Sequence, residues 1–390
     1  MKIVEVLTSP GWGAYYVEDL AALQARPTAE VDRYLAEPVT PSFRRVREPA
    51  EVLSVGLRLE DGRVAWGDCV GVSYGGKAGR DPVFHSQAAQ LPELAGRSWS
   101  LEQLAELELP QAIHYGLSQA LVAAQALSWG VSQTEVWCRL FDLSLPSAPL
   151  PLHGSSGNAR QVNADKMILR RLASLPAGQV DDLEAQVGHD GQLLLDYADW
   201  LRERLEQLGE PGYRPTVHLD VHGALGRIFE DDQLVTFVAR LADSVAPYPL
   251  RLESLVVEAS RQAQIERLGR LKGRVAAELV VDEWANTLED VMAFAQAGVV
   301  DMVHLKVPDL GSLLHSYRAV EACRGLGVKT LLGGSCIETE VSARACVHLG
   351  LAARPDLLMC KPGMGVDEAI VLVHNEMQRT LAELASGMWH

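Results

Sequence analysis

Three carboxylates and a lysine recur in this chain at intervals that match one strand and one helix. Asp220 ends the run VHLD, Glu253 ends LRLE, Asp282 follows ELVV, and Lys306 ends MVHLK. Neighbouring members lie roughly 30 residues apart, the usual length of a strand–helix unit. A single aspartate at a strand end often only caps the next helix. Three on adjacent strands would repel one another without a cation, and hard oxygen ligands favour Mg²⁺ or a relative such as Mn²⁺.

Lys306 is unusual because its strand is otherwise apolar. Residues two apart in a strand share a face, so Lys306 lies with His304 while Val303, Leu305 and Val307 take the other face. An edge strand with one wet face would also give this pattern. Beside a divalent cation, however, a neutral lysine can take a proton from carbon next to a carboxylate, because the metal stabilises the enediolate. The cation would also lower the pKa of the lysine toward working pH.

The second part of the chain predicts the elements that position these residues. Short apolar runs alternate there with amphipathic segments, which implies parallel strands with right-handed crossovers and fits an α/β (β/α)8 barrel. A doubly wound open sheet is the alternative, but no GxGxxG motif follows a strand. The eight candidate strands are PLPLHG, KMILRRL, TVHLDVHG, LRLESLV, AELVVDE, MVHLKVP, KTLLGGSC and LLMCKPG.

The first part of the chain predicts a smaller α+β domain. MKIVEVLTSPGWG begins with a strand, and VLSVGLRLEDGRVAWGDCV reads as a hairpin that turns at Asp61 and Gly62. Residues 112–130 predict a helix that stops at Gly130. The prolines of SAPLPLHG then place a domain boundary near residue 148.

Composition excludes several classes of partner. The chain has 390 residues, 48% hydrophobic and 22% charged, with a net charge of −16. This charge argues against nucleic acid and anionic membranes as partners. The six cysteines are scattered without metal-ligand spacing, which favours a reduced, cytoplasmic setting. The first apolar run is too short for a signal peptide, and no stretch approaches the roughly 20 residues that span a bilayer.

The chain resembles methylaspartate ammonia-lyases, enolase-superfamily enzymes that eliminate ammonia from 3-methylaspartate. The resemblance implies an N-terminal α+β capping domain (1–148), a barrel (149–361) and a C-terminal segment (362–390) that returns to the cap. It also implies a homodimer that needs Mg²⁺ and often K⁺, metal ligands Asp220, Glu253 and Asp282, and Lys306 as the base for the C3 proton of the (2S,3S) substrate. It rests on MKIVEVL, LEDGRVAWGDC, GRDP, SGNARQVNADKMI, LDVHG, ADSVAPYPLRLE, ELVVDEWANTLEDV, KVPDLG, GGSCIET and KPGMGVDEAIVLVHNEM.

The departures from this family concern the substrate-binding shell. The family's opposite-face histidine is Ala177 here, and its three substrate-binding glutamines are Ser73, Ser155 and His304. The family's Thr-Cys pair is Ser335-Cys336. The sequence therefore predicts retained metal and base chemistry on a different small-molecule carboxylate, bound by Ser73, Ser155, His304, Ser335 and Cys336.

Two other functions stay open from sequence. One is a dehydratase, racemase or cycloisomerase that forms the same intermediate from another carboxylate, and the other is a non-catalytic binding barrel. His218 and His222 flank Asp220 on its face, either in support of the site or as satisfied barrel histidines. For Lys361, Cys336 and Cys360 we favour a structural role over a catalytic one.

Overall fold

The computed structural model describes residues 2–24, 35–180 and 182–387 and begins with a three-stranded antiparallel sheet. The strands are β1 (Ile3–Glu18), β2 (Arg47–Leu59) and β3 (Val64–Cys69), in the order β1-β2-β3. The predicted turn joins β2 to β3, and its Gly62 has a φ of 85°, which glycine adopts without strain. The sheet and the predicted hairpin are thus confirmed.

In the described part of the cap, four α-helices accompany this sheet. They are α1 (Leu20–Gln24), α2 (Leu101–Ala105), α3 (Gln111–Trp129) and α4 (Gln133–Leu140), with a short 3-10 helix at Ser86–Ala88. The predicted helix is α3, which ends at Gly130 in the left-handed conformation. α3 lies so close to β3 that a Cβ on Gly67 would stand 2.1 Å from the carbonyl oxygen of Gly116. Glycine at both positions permits this contact.

Eight parallel strands close into a barrel, in the order β10-β11-β4-β5-β6-β7-β8-β9. The closed ring confirms the (β/α)8 prediction and excludes the open doubly wound sheet. The strands are β4 (Leu152–His153), β5 (Ser174–Ala177), β6 (Thr216–Asp220), β7 (Leu250–Glu253), β8 (Glu278–Val281), β9 (Met302–Leu305), β10 (Lys329–Leu332) and β11 (Leu357–Met359).

Helices follow the barrel strands, and several carry a short extra turn before the main helix. They are α5 (Arg160–Leu169), α6 (Leu183–Gln186), α7 (Gln192–Leu208), α8 (Ala224–Ile228), α9 (Asp231–Val245), α10 (Arg261–Leu271), α11 (Leu288–Ala297), α12 (Val307–Leu310), α13 (Leu313–Gly325), α14 (Glu340–Ala353) and α15 (Val366–Ser386). Their apolar faces pack on the outside of the barrel and form most of the core.

One of the eight predicted strands was wrong. KMILRRL forms the end of α5, because its apolar residues Met167 and Ile168 bury together with Ala164 at helical spacing. The second barrel strand is instead Ser174–Ala177, which pairs with β6 from Ser174 to Ala177. The barrel still has eight strands, because Ser174–Ala177 takes the place of KMILRRL.

β9 has two different faces, which explains its mixed sequence. Val303 and Leu305 pack into the large core shared with the outer helices. Met302 belongs to a separate small cluster with Leu331 and Met359 of neighbouring strands. His304 lies on the same face as Met302 and is buried. The polar face of β9 therefore points into the barrel rather than to a wet sheet edge.

The C-terminal helix α15 packs on α14 and α5 of the barrel. The expectation that residues 362–390 return to the cap stays a prediction, and residues 388–390 lie outside the described part of the chain. The cap contacts the barrel elsewhere, since α14 packs on α4 and β3. In the described ranges, no helix combines the length and apolar character needed to cross a membrane.

Candidate active site

A single cleft at the carboxyl ends of the barrel strands contains all the residues that the sequence indicated for chemistry. This end of a barrel is where side chains from several strands converge. Cap residues close the cleft from above, and barrel residues form its floor. The indicated residues that line it are Ser73, Ser155, Ala177, Asp220, Glu253, Asp282, His304, Lys306, Ser335 and Cys336.

Lys306 stands directly after β9, where it precedes the short helix α12. Its Nζ donates a short hydrogen bond to Oδ2 of Asp282, and the two side chains are only 19% and 5% exposed. Burial is the largest influence and lowers the pKa of Lys306, but the charges of Asp282, Glu283 and Asp309 together outweigh it and raise this pKa above its ordinary value. The protein's own groups therefore keep the amine protonated, and a charge that engages Asp282 would weaken that hold.

Arg80 reaches the same carboxylate from the cap, and sequence reasoning missed it. Its Nη2 lies 3.2 Å from Oδ1 of Asp282, and its Nε donates to Oδ2 of Asp309 at 2.8 Å. The Asn286 side chain donates to the carbonyl oxygen of Ala78 and so fixes the cap loop that precedes Arg80. Arg80 stands in the GRDP motif that supports the family resemblance, but the sequence analysis gave it no role, although buried carboxylates require cationic partners.

Glu253 is held by two histidines inside the barrel. His218 Nε2 lies 2.8 Å from Oε2, and His304 Nδ1 lies 2.7 Å from Oε1. Burial alone would raise the pKa of Glu253, but the hydrogen bonds and charge of His304 and His218 bring it well below the ordinary value. His218 thus supports the carboxylate from below, one of the two roles that the sequence left open.

Asp220 ends β6 beside these groups and has a different environment. Burial and the charges of Glu253 and Glu283 raise the pKa of Asp220 well above its ordinary value. Its Oδ1 accepts the backbone N–H of His222 at 3.1 Å. Several buried carboxylates in one cleft, with this much mutual repulsion, favour a bound cation.

The donor set fits a divalent metal ion. Glu253, Asp282 and His304 each offer one ligand atom, and these atoms lie within 4.8 Å of one another. Asp220 adds a carboxylate in the same cleft. Carboxylate oxygens suit Mg²⁺, and the imidazole adds a nitrogen donor that the sequence assigned to substrate binding.

Ala177, which the sequence analysis singled out, lies across the cleft from Lys306 and provides no base. β5 and β9 are four strands apart in the ring of eight, so their ends face each other across the mouth. Ala177 ends β5 and has no proton-accepting side chain. Gln179 fills part of this side, with its Nε2 3.4 Å from Tyr74 Oη and 3.4 Å from His222 Nδ1. The sequence analysis gave Tyr74 and Gln179 no role, because neither stands at the regular strand-end spacing.

Small side chains line another part of the cleft. Ser73 is buried, and its hydroxyl has no hydrogen-bond partner within the described residues. Ser335 is also buried, and its backbone N–H donates to Oε2 of Glu338 at 3.1 Å. Ser155 and Cys336 are partly exposed to the cleft. Ser73 therefore offers an unused hydroxyl at this side of the cleft.

Lys361 lies beneath the cleft in a buried ion pair. Its Nζ is 2.9 Å from Oε2 of Glu338 and 2.7 Å from the carbonyl oxygen of Gly333, and neither charged side chain is exposed. Tyr115 from the cap donates to the other Glu338 oxygen. These contacts fix the loop that carries Ser335, which agrees with the structural interpretation of Lys361. Burial raises the pKa of the Cys360 thiol to about 12, so Cys360 is not a nucleophile.

Two family models together match almost the whole chain. The methylaspartate ammonia-lyase N-terminus matches residues 1–142, and the methylaspartate ammonia-lyase C-terminus matches residues 144–386. A curated relative, methylaspartate ammonia-lyase 1 of Carboxydothermus hydrogenoformans, is 39% identical over 98% of this chain and 97% of its own length.

Solved structures give the same result. The methylaspartate ammonia lyase of Citrobacter amalonaticus, which contains (2S,3S)-3-methylaspartic acid, superposes with a TM-score of 0.93 at 37% identity. The match covers 99% of this chain and 100% of that one. The β-methylaspartase of Clostridium tetanomorphum, a magnesium complex, gives a TM-score of 0.90 at 35% identity over 99% of this chain and 100% of that one.

Proposed function

This chain belongs to the methylaspartate ammonia-lyase family, carbon–nitrogen lyases of the enolase superfamily, and we propose from this that it removes ammonia from a 3-substituted aspartate. The observation that carries the proposal is the contact of Lys306 with Asp282, beside Glu253 and Asp220 in one cleft. A base and an anionic pocket for a cation are what proton abstraction next to a carboxylate requires.

Lys306 performs the proton transfer in this proposal. Its Nζ takes the proton from the carbon next to the substrate carboxylate, and the C–H electron pair passes into that carboxylate as an enediolate. The pair then returns to form the carbon–carbon double bond as the carbon–nitrogen bond breaks, and the ammonium group leaves as ammonia with the electrons of that bond. A divalent ion held by Asp220, Glu253 and Asp282 would stabilise the negative charge that develops on the carboxylate. Arg80 orients Asp282 during this step through the oxygen that Lys306 does not use.

We further propose that the substrate is larger than 3-methylaspartate. Ser73, Ser155 and His304 stand where the family has glutamines, which offer both donors and acceptors. Each hydrogen bond that 3-methylaspartate loses would cost about 1–3 kcal/mol, and several together would make it a poor substrate. The support is the unpartnered hydroxyl of Ser73 and the position of His304 beside Lys306, where it could contact a second acidic group.

An ammonia-release assay on a panel of amino acids tests this function. The panel contains (2S,3S)-3-methylaspartate, aspartate and aspartates with larger substituents at carbon 3. We expect a larger member to be preferred and the kcat/KM for 3-methylaspartate to fall below about 10⁴ M⁻¹s⁻¹. A value above that would restore the plain family substrate. No ammonia from any member would favour a dehydratase, racemase or cycloisomerase instead.

A matched variant tests which residues set the preference. Ser155→Gln restores the family residue at one position without touching the carboxylates or Lys306. We expect it to raise kcat/KM for 3-methylaspartate relative to larger substrates, because the amide replaces lost hydrogen bonds. Ser386→Gln, on the exposed end of α15, is the control and should leave both values unchanged.

We also propose a homodimer in a reducing, cytoplasmic setting, with K⁺ as an activator. The six cysteines are all free, which is consistent with a reducing compartment. The dimer and the K⁺ dependence rest on family resemblance alone. Light scattering on the purified chain measures the first, and activity in Na⁺ against K⁺ buffer measures the second.

A further inference from the structure

Gln179 lines the cleft from the loop after β5, on the wall that lies across from Lys306. The two residues before it, Ala177 and Gly178, have φ values of 59° and 54°. Left-handed backbone is uncommon for a residue other than glycine, and it is enriched at active sites. Ala177 leaves this wall without a polar side chain at the end of β5, so Gln179 is the polar residue that follows it into the cleft.

Two long contacts hold the side-chain amide of Gln179. Its Nε2 lies 3.4 Å from Tyr74 Oη and 3.4 Å from His222 Nδ1, whereas an ordinary hydrogen bond from nitrogen is about 2.9 Å long. Nε2 of His222 lies 3.4 Å from Oε1 of Glu283, which as a carboxylate can only accept. The ring proton of His222 therefore belongs on Nε2, and Nδ1 accepts from the amide.

The carbonyl oxygen Oε1 of Gln179 accepts no hydrogen bond from the described residues. Because the N–H groups of the amide face Tyr74 and His222, this oxygen is the part of the side chain that remains for a ligand. Ser73 adds a second acceptor nearby, since it precedes Tyr74 and its buried hydroxyl lacks a partner within the described residues. Two neutral oxygens suit a ligand group that donates several hydrogen bonds, as an ammonium group does.

The geometry of elimination places such a group on this wall. Lys306 takes the proton from one face of the substrate, and the carbon–nitrogen bond breaks most readily when it is aligned with the enediolate on the opposite face. The ammonium group then stands across from Lys306, where Ala177 offers no hydrogen bond and Gln179 offers one. A neutral amide oxygen also holds an ammonium less tightly than a carboxylate would, which lets ammonia leave.

We propose that Gln179 binds the ammonium group of the substrate through Oε1, on the face opposite to Lys306, and so makes the cleft select amino diacids over diacids without nitrogen. This inference rests on the proposed removal of ammonia and adds the residue that holds the leaving group. It concerns one contact, so it can fail while ammonia release stands.

Two ligands that differ only in the ammonium group test this contact in the Mg²⁺-loaded chain. The first is 3-methylaspartate, for which kcat and KM are measured, and the second is 2-methylsuccinate, a competitive inhibitor with hydrogen in place of the ammonium. Gln179→Met keeps the length of the side chain and removes the acceptor. We expect it to raise KM for 3-methylaspartate about tenfold or more and to leave the inhibition constant of 2-methylsuccinate within about twofold.

Gln179→Glu is the matched variant, because it keeps acceptor oxygens at the same distance from the backbone. It should bind 3-methylaspartate at least as tightly as the parent and 2-methylsuccinate more weakly, since the added charge attracts the ammonium and repels a bare diacid. Gln262→Met, at an exposed position of α10, is the control and should change neither constant. Circular dichroism checks that each variant folds.

Two results would overturn the inference. One is an unchanged KM for 3-methylaspartate in folded Gln179→Met. The other is an equal loss of affinity for 3-methylaspartate and 2-methylsuccinate, which would mean that Gln179 shapes the cleft without contacting the ammonium. In both, ammonia release by the parent chain would still support the proposed function. A parent chain that releases no ammonia from any member of the panel would contradict the proposed function and this inference together.

Discussion

Asp282 contacts one cationic side chain from the barrel and one from the cap. One oxygen contacts Lys306 of the barrel and the other contacts Arg80 of the cap, and the residue is almost fully buried. Its charge thereby raises the pKa of Lys306, although burial acts in the other direction. A cation that engages Asp282 would compete with both contacts, so metal binding and the state of the base are linked through this one side chain.

Replacing Asp282 with asparagine should weaken Mg²⁺ binding by at least about tenfold, because a charged ligand becomes neutral at constant size. Isothermal titration of the metal-stripped chain measures this. Asp301→Asn is the control, since Asp301 precedes β9 at the far end of the barrel and pairs with Lys272. Equal Mg²⁺ affinity in Asp282→Asn and the parent would mean that the metal site lies elsewhere.

Replacing Lys306 with alanine should lower turnover by about two to four orders of magnitude, the usual contribution of a positioned base. The parent should exchange the C3 proton of only one substrate diastereomer in deuterated water, because Ala177 offers no second base. Lys329→Ala, at an exposed lysine, should behave like the parent. Fast exchange of both diastereomers would argue against a single base and direct attention to His304.

Among single residues, the sequence predicted those that recur at intervals of one strand–helix unit. Asp220, Glu253, Asp282 and Lys306 each end or follow a strand, and the barrel brings strand ends together whatever the intervening helices contain. Arg80 belongs to a cap loop, so no periodicity relates it to Asp282. Its role depends on how two domains dock, which a local pattern does not encode.

Among the elements, the second barrel strand shows where pattern reading fails. A barrel strand is buried on both faces and is only a few residues long, so the alternation that marks a surface strand is absent. SLPA, with a proline inside, gave no signal, whereas KMILRRL offered a convincing apolar run. Met167 and Ile168 are nevertheless helical neighbours of Ala164. Longer elements such as α3, with apolar residues at helical spacing and a glycine stop, were predicted correctly.

The ion pair of Lys361 and Glu338 joins the end of β11 to the loop after β10. Lys361→Met should lower the free energy of unfolding by about 3–5 kcal/mol, because Glu338 would remain as an unpaired buried charge. Urea unfolding measures the loss. Lys329→Met breaks an exposed pair with Glu278 and should cost no more than about 1 kcal/mol.

A double replacement separates the pair from simple packing. Lys361→Met with Glu338→Leu removes both charges, so it should recover part of the stability lost in Lys361→Met alone. If the double variant is as unstable as the two single changes added together, the two charges do not act on each other, contrary to this account.

At the scale of the whole molecule, both the cap and the barrel contribute residues to the cleft. Arg80 and Tyr115 come from the cap, and they contact Asp282 and Glu338 of the barrel. A third link joins Thr339, before α14, to Asp68 at the end of β3. The family resemblance predicted a cap over a barrel, but only the structure identifies these buried polar contacts between the two.

Replacing Arg80 with methionine should loosen the cap over the cleft, because Asp282 and Asp309 would lose a buried cationic partner. Hydrogen exchange of peptides that cover residues 73–84 should become at least about tenfold faster. Arg44→Met, which breaks an exposed ion pair within the cap, is the control. Unchanged exchange in Arg80→Met would show that the cap is held by its apolar contacts alone.

The position of Lys306 has a consequence for the reaction run backwards. Elimination and addition pass through the same steps in opposite directions, so an unsaturated diacid that adds ammonia in this cleft would receive its carbon-bound proton from the group that removes it in the forward direction. If Lys306 is the group that delivers it, that proton arrives on a single face of the double bond. The new carbon stereocentre would then form with one configuration, and the chain would act as an asymmetric catalyst for amino-acid synthesis.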